Sequence, residues 1–156
     1  MFYVEDIEEL LAASPNDKVR IGDQLFAVRI AYQLPVTIKN GDKGETEEAL
    51  PSTFEDALAF ENLEFFGKLE GNGLARKFRD AIANCKGVEA IGLEMFNALK
   101  GGSKAEFSLD IIWSKEFGDL KCPTYIGEGL KWLEDRLINK RKEVVALPTE
   151  VIGGPT

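Results

Sequence analysis

The chain has 156 residues, of which 44% are hydrophobic, and this is enough for one compact domain with a buried core. Its 19 basic and 27 acidic side chains leave a net charge of −8, the opposite of the basic surface expected of a self-sufficient nucleic-acid-binding protein. The sequence contains no histidine, which excludes imidazole ligands and histidine general bases and argues against zinc chemistry.

The two cysteines, Cys85 and Cys122, lie far apart and form no CxxC motif. We therefore expect both to be reduced, buried thiols. The sequence has no apolar run of about 18 residues, the length that would cross a membrane. Its first residues lack the basic and apolar regions of a signal peptide. These features predict a soluble protein of the cytoplasm that does not insert into a membrane.

The first third of the chain contains one predicted helix, one predicted strand and a loop. Residues 7–13 are typical of a short helix, which the segment beginning Ser14-Pro15 ends. Residues 25–32 are rich in β-branched and aromatic side chains and predict a strand that runs as far as Val36. Residues 39–51 carry two glycines, three glutamates and no apolar period, which indicates a solvated loop.

From residue 54 onward the apolar positions repeat at helical spacing. Helices are predicted over residues 54–66, 74–82, 88–99, 107–113 and 126–137. The pair Gly101-Gly102 should end the third of these by adopting positive φ, and residues 140–142 should place cations at the end of the last one.

The predicted fold is mainly α with a minor β component, an α+β class. We expect a single compact domain over residues 1–146 and a flexible tail over 147–156. One strand with several helices cannot form a conventional α/β sheet, which indicates that part of the fold lies outside this chain.

Two segments place polar side chains at predicted helix starts. In the first, Ser52 and Glu55 have the spacing of a capping box, while the hydroxyls and carboxylates of the same segment could supply oxygen ligands to a divalent cation. In the second, Ser103 and Glu106 have the same spacing, with Lys104 between them. A cation there faces the positive end of the helix dipole, at a cost of a few tenths to about 1 kcal/mol, so either a solvent-exposed lysine or a phosphate contact would account for it.

The remaining charged and aromatic groups favour structural roles. The basic run Arg76, Lys77 and Arg79 should face solvent, because the apolar positions of its helix lie on the opposite side. The cations at residues 140–142 should complete a helix end. Three aromatic side chains are expected to pack in the core or in an interface: Trp113, Tyr125 and Trp132.

Four segments, in this order, resemble the C-terminal part of the nuclease region of overcoming-lysogenization-defect (OLD) family ATP-dependent endonucleases. They are IAYQLP at residues 30–35, PSTFEDAL at 51–58, SKAEF at 103–107 and PTYIGEGL at 123–130. The resemblance covers residues 7–138. Each motif is short, and the specificity comes from their order and spacing.

The resemblance implies the helical C-terminal part of a TOPRIM-type nuclease domain that cleaves DNA with two Mg²⁺ or Mn²⁺ ions. Glu55 and Thr53 match the family's late carboxylate and hydroxyl positions at the metal site, and Lys104 matches the lysine that supports cleavage. The implied partners are DNA, an upstream TOPRIM half and an ATPase domain, with a homodimer also possible.

The departures from the family are equally specific. The upstream glutamate motif, E-G-x-x-E or E-G-x-x-D, and the D-x-D pair are absent, and so is the G-x-x-x-x-G-K-[ST] loop of an ATPase. We therefore expect this chain to be inactive alone. The alternative is a non-catalytic acidic protein-interaction domain. A nuclease half-site should bring Glu55 and Lys104 together in one open concavity, whereas an interaction domain would scatter them.

Overall fold

The computed structural model describes residues 7–22, 26–40 and 45–146. Its elements confirm a mainly helical chain with a minor β component. The first part contains a helix and two hairpins: α1 (Ile7–Ala12), β1 (Val19–Gly22), β2 (Phe26–Arg29), β3 (Val36–Asn40) and β4 (Glu45–Ala49). The second part is helical: α2 (Phe54–Glu61), α3 (Leu63–Lys68), α4 (Gly73–Asn84), α5 (Val88–Leu99), α6 (Lys104–Ile112), a 3₁₀ turn (Phe117–Asp119) and α7 (Thr124–Ala146).

The strand expected over residues 25–32 and on to Val36 was wrong in extent. Strand β2 ends at Arg29, and Val36 instead begins a separate strand, β3. Pro35, which has no backbone N–H to donate to a ladder, lies just before β3. Strand β1, which pairs antiparallel with β2, was not predicted, and Leu25 lies outside the described residues.

The loop expected over residues 39–51 was also wrong. Strands β3 and β4 pair antiparallel, with Val36 opposite Ala49, and residues 41–44 between them lie outside the described part of the chain. Ala49 is buried in the core. The Glu47 carboxylate accepts a hydrogen bond from the Val88 backbone N–H at 3.0 Å, at the start of α5. Tertiary contacts therefore stabilise a strand in a segment whose glutamates disfavour one.

The helix expected over residues 54–66 is divided in two at Asn62, which is buried. Its side-chain amide donates to the carbonyls of Leu58 and Lys121 at 2.8 and 3.0 Å, and its side-chain oxygen accepts from the Lys121 N–H at 2.8 Å. Asn62 thus joins the end of α2 to the segment that leads into α7, and its buried polar groups are satisfied.

The core lies among α2 to α6 and the β3–β4 hairpin. Its centre is aromatic, with Phe66, Phe78 and Phe107 almost fully buried beside Met95. The ring centroids of Phe78 and Phe107 lie 4.9 Å apart, and those of Phe66 and Phe107 lie 5.8 Å apart. This packing fixes α3, α4 and α6 against one another.

The corner between α5 and α6 contains Gly101 and Gly102, as predicted, but the reason differs. Neither glycine has a positive φ. A Cβ atom on Gly102 would clash with the side chain of Leu74, so the chain requires a glycine for close approach to α4. A Cβ on Gly101 would meet nothing within 4 Å.

Helix α7 extends to Ala146, so residues 140–142 do not end it, contrary to the prediction. It contributes no residue to the core of the described chain, and its side chains from Leu133 to Arg141 are exposed. No helix among the described residues is long and apolar enough to span a membrane. The predicted tail, 147–156, lies outside the described residues, as do residues 1–6.

Both cysteines are free thiols. Cys85 is half-buried, whereas Cys122 is exposed, so the expected burial was wrong for Cys122. Its position is in the segment between the 3₁₀ turn and α7, where the side chain lies beside the Pro123 carbonyl.

Candidate metal and phosphate site

Helix α2 begins one residue later than the expected capping box required. Thr53, not Ser52, is the N-cap, and its partner is Asp56, not Glu55. The Thr53 hydroxyl accepts from the Asp56 N–H at 3.3 Å, and the Asp56 carboxylate accepts from the Thr53 N–H at 2.7 Å. Because the cap uses Asp56, the carboxylate of Glu55 is left available for other contacts.

Asp56 is buried, and its carboxylate has two further hydrogen bonds. It accepts from the Ser52 N–H at 2.9 Å and from the Thr53 hydroxyl at 3.0 Å. Four hydrogen bonds therefore fix the loop before α2. Thr53 takes part in two of these with its hydroxyl, which leaves one lone pair of that oxygen for a further contact.

Helix α6 begins at the predicted N-cap residue, Ser103, with one of the two hydrogen bonds of the predicted capping box. The Ser103 hydroxyl accepts from the Glu106 N–H at 3.2 Å. Lys104 is the first residue of the helix and projects from its positive end. Its ammonium thus lies where the backbone already favours an anion.

The structure brings Glu55 and Lys104 together, although they are far apart in the sequence and lie on different helices. The Lys104 ammonium is 2.7 Å from a carboxylate oxygen of Glu55. The Glu55 side chain is only 16% exposed, whereas that of Lys104 is 55% exposed. The ion pair therefore has one anchored carboxylate and one cation open to solvent.

The pKa of Glu55 reflects competing influences. Burial is the largest and favours the neutral acid, which would raise the pKa. The hydrogen bond and charge of Lys104, with the hydrogen bond from the Glu55 backbone N–H, outweigh burial and bring the pKa below its ordinary value. Glu55 is consequently an anion at neutral pH.

The corner formed by the starts of α2 and α6 has the donors of half a metal site. One carboxylate, that of Glu55, can offer its second oxygen to a hard divalent cation, and the Thr53 hydroxyl can add a neutral oxygen. The described residues include no group of three or more histidine, cysteine or acidic side chains placed to hold a metal.

A cavity of about 390 Å³ is lined in part by Ala57, Phe60 and Glu61 of α2. Three of the four segments that carry the family resemblance meet there, through Gln33 to Pro35, Pro51 and Ala57, and Thr124 and Tyr125. The Glu61 carboxylate closes one wall by accepting from the N–H and hydroxyl of Thr124 at 2.7 and 2.8 Å. The start of α7 is thereby tied to α2.

Tyr125 lines this cavity, and sequence reasoning missed that position. Burial is the main cause that raises the pKa of its phenol, and the charges of Asp56, Cys122 and Glu55 raise it further. The position of Tyr125 in an amphipathic helix predicted only that its side chain packs in the core or in an interface. Spacing within one helix gives no sign that the helix start lies beside α2.

Two other expectations need correction. Arg79 does not simply face solvent like Arg76 and Lys77, because it is half-buried and its guanidinium donates to the Leu69 carbonyl. Trp113 does not pack in the core, because its side chain is 75% exposed, and its packing in an interface stays a prediction. Trp132, in contrast, is half-buried.

Comparison of this chain with protein-family models, with curated proteins and with solved structures finds no match.

Proposed function

We propose that this chain is part of a divalent-metal-dependent DNA endonuclease of the OLD-family TOPRIM type. In this proposal Glu55 and Thr53 bind Mg²⁺ or Mn²⁺, and Lys104 contacts the scissile phosphate. An upstream segment supplies the remaining metal ligands, and an ATPase domain accompanies it in the complete protein. The observation that carries the proposal is the 2.7 Å contact between Glu55 and Lys104.

The geometry supports this function in a specific way. A phosphodiester in a two-metal site needs a cation bound by a fixed carboxylate and a positive group beside the oxygens where charge builds. Glu55 is held by burial and by a rigid cap at Thr53, while Lys104 is exposed and can move to a phosphate. The N-termini of α2 and α6 both add favourable potential for an anion.

The same geometry weighs against the acidic interaction domain. That alternative would scatter the two side chains, whereas here they are in direct contact at 2.7 Å, and a phosphate would enter only after Lys104 moves away from Glu55. The net charge of −8 is compatible with a nuclease if the DNA contact is local and bridged by metal. Most of the affinity for the DNA backbone would then come from the rest of the protein.

The test is a plasmid-nicking assay with Mg²⁺ or Mn²⁺. It compares this chain alone with a protein that carries the same chain behind a segment containing the E-G-x-x-E and D-x-D motifs. We expect only the longer protein to cut. Lys104→Ala and Glu55→Gln in the longer protein should each reduce the rate by about a hundredfold or more, as removal of a transition-state contact does.

The matched control is Lys115→Ala, which removes an exposed lysine beyond the other end of α6. This variant should cut at the wild-type rate. If Lys104→Ala cuts as fast as Lys115→Ala, the assignment of the site is wrong. If the longer protein does not cut under any condition, the nuclease proposal itself fails.

A further inference from the structure

Helix α7 has an apolar stripe that nothing in the described chain covers. Leu130, Leu133 and Leu137 are 60, 47 and 63% exposed. With the half-buried Ile126 they follow the alternating four- and three-residue spacing of a coiled-coil seam. A surface stripe of leucines in this pattern is typical of a helix that pairs with another helix.

The rest of the molecule explains why the stripe stays exposed. The start of α7 is fixed by Glu61 and by Arg29, whose guanidinium lies 3.1 Å from the Glu128 carboxylate. After Trp132 every described side chain of the helix, up to Arg141, is exposed. The helix therefore projects from the body with its seam open along most of its length.

The charges beside the seam disfavour a parallel pair. In a parallel coiled coil, Arg136 of one helix lies beside Arg141 of the second, and the symmetry of the pair repeats this contact. Like charges in these positions are destabilising. A parallel arrangement would therefore place two Arg136–Arg141 repulsions in a short interface.

An antiparallel pair avoids those repulsions. In the register that places Leu130 opposite Leu133 of a second copy, Ile126 lies opposite Leu137, so all four layers are apolar. Glu134 then lies opposite Gly127 of the second copy and within reach of its Lys131. The opposite charges of Glu134 and Lys131 attract, and the two-fold axis repeats this ion pair. Charge complementarity thus selects the antiparallel orientation.

We infer that α7 is a self-association surface, through which two copies of this chain pair as antiparallel helices. The inference does not depend on the proposed nuclease activity. The net charge of −8 on each copy opposes association, and salt screens this long-range repulsion. The dimer should therefore become tighter as the salt concentration rises, as expected of an interface built on apolar contacts.

The first experiment is sedimentation equilibrium of this chain from low micromolar to several hundred micromolar concentration. We expect a reversible increase from 17.3 kDa toward twice that mass. Leu133→Glu should weaken the dimer by at least about tenfold, which is about 1.4 kcal/mol, because it places a charge in the apolar seam. Far-UV circular dichroism checks that the variant remains folded.

Leu93→Glu is the control, since Leu93 is an exposed leucine of α5 with 59% exposure. It should leave the dimer unchanged. A wild-type chain that remains monomeric at the highest concentration overturns the inference, and so does equal weakening by Leu93→Glu.

Disulfide formation tests the orientation. In a background with Cys85→Ser and Cys122→Ser, Leu130→Cys mixed with Leu133→Cys should give mainly the mixed disulfide. Leu130→Cys alone should cross-link poorly. If Leu130→Cys alone cross-links better than the mixture, the helices are parallel and the proposed arrangement is wrong.

Discussion

The α2–α6 body and helix α7 use hydrophobic residues in opposite ways. In the body, Phe66, Phe78 and Phe107 are almost completely buried and fix three helices against one another. In α7, Leu130, Leu133 and Leu137 have the same helical spacing but remain largely exposed. Periodicity therefore identifies an apolar face, whereas only the tertiary structure shows whether that face is covered.

The body and α7 also differ in the contacts that hold them in place. The body is stabilised by its own contacts, and it positions the Glu55–Lys104 corner at its surface. Helix α7 is tied to the body at its start, through Glu61 and Arg29, and further along it has few partners. Substitutions in the body should change the free energy of unfolding, and substitutions in the stripe should change association.

The largest expected effect on stability is that of Phe78→Ala. Phe78 contacts Phe66 and Phe107 within the aromatic centre, and its truncation should leave a cavity that costs about 3–5 kcal/mol of unfolding free energy. Leu133→Ala, measured at a concentration where the chain is monomeric, should cost less than about 1 kcal/mol. Urea denaturation measures both, and similar losses for the two variants would contradict the distinction between body and α7.

Substitutions at the α5–α6 corner should have a smaller effect on the free energy of unfolding. Gly102→Ala should cost about 1–3 kcal/mol, because the added Cβ would clash with Leu74. Gly101→Ala has open space and an ordinary φ, so it should change the unfolding free energy by less than about 1 kcal/mol. The two variants can be compared by thermal unfolding, and a neutral Gly102→Ala would show that α4 and α6 are less closely packed than described.

The hydrogen bond between the β3–β4 hairpin and α5 should contribute less to the free energy of unfolding. Glu47→Ala removes the acceptor for the Val88 N–H and should cost about 1 kcal/mol. Glu48, exposed on the other face of β4, provides the matched control as Glu48→Ala, which should be close to neutral. Equal effects would indicate that the carboxylate of Glu47 does not stabilise the start of α5.

The smallest stability effect is expected for Lys104→Ala, because Lys104 is half exposed and solvent screens its charge. We expect a loss of less than about 1 kcal/mol at neutral pH. The pKa of Glu55 should rise, since burial would then face fewer opposing influences. NMR titration of the Glu55 side-chain carboxyl measures this shift, and an unchanged pKa would contradict the ion pair.

The sign of the pH dependence follows from the direction of the pKa shift. Glu55 has a folded-state pKa below the ordinary pKa of a glutamate, so its contribution to stability is fully present above that ordinary pKa. The contribution is lost as the pH falls through the folded-state pKa. The stability difference between wild type and Lys104→Ala should therefore disappear in acid.

The sequence was informative about helices and less so about strands and caps. Apolar residues at three- and four-residue spacing located α4 and α5 closely, since each has a buried face. Strand β4 was missed because three of its five residues are glutamates, and its stability comes from pairing with β3. Ser52 and Glu55 have the same three-residue spacing as Thr53 and Asp56, so the sequence was compatible with either capping box. The structure forms the box of Thr53 and Asp56.

The candidate site shows the same limit. Glu55, Thr53 and Lys104 were named from the sequence through a family resemblance. Their proximity depends on where the rest of the body places α2 and α6, which no local pattern specifies. The roles of these residues in metal binding and cleavage stay predictions.

The most direct measurement of the proposed site is paramagnetic broadening by Mn²⁺ in NMR spectra of this chain, with Glu55→Gln as the control. Mn²⁺ broadens resonances even at low occupancy, which suits a corner with few ligands. The proposal predicts that amides of residues 52–56 and 103–106 broaden first and that Glu55→Gln removes this effect. Broadening centred elsewhere, or broadening that Glu55→Gln leaves unchanged, would contradict a metal site at the Glu55–Lys104 corner.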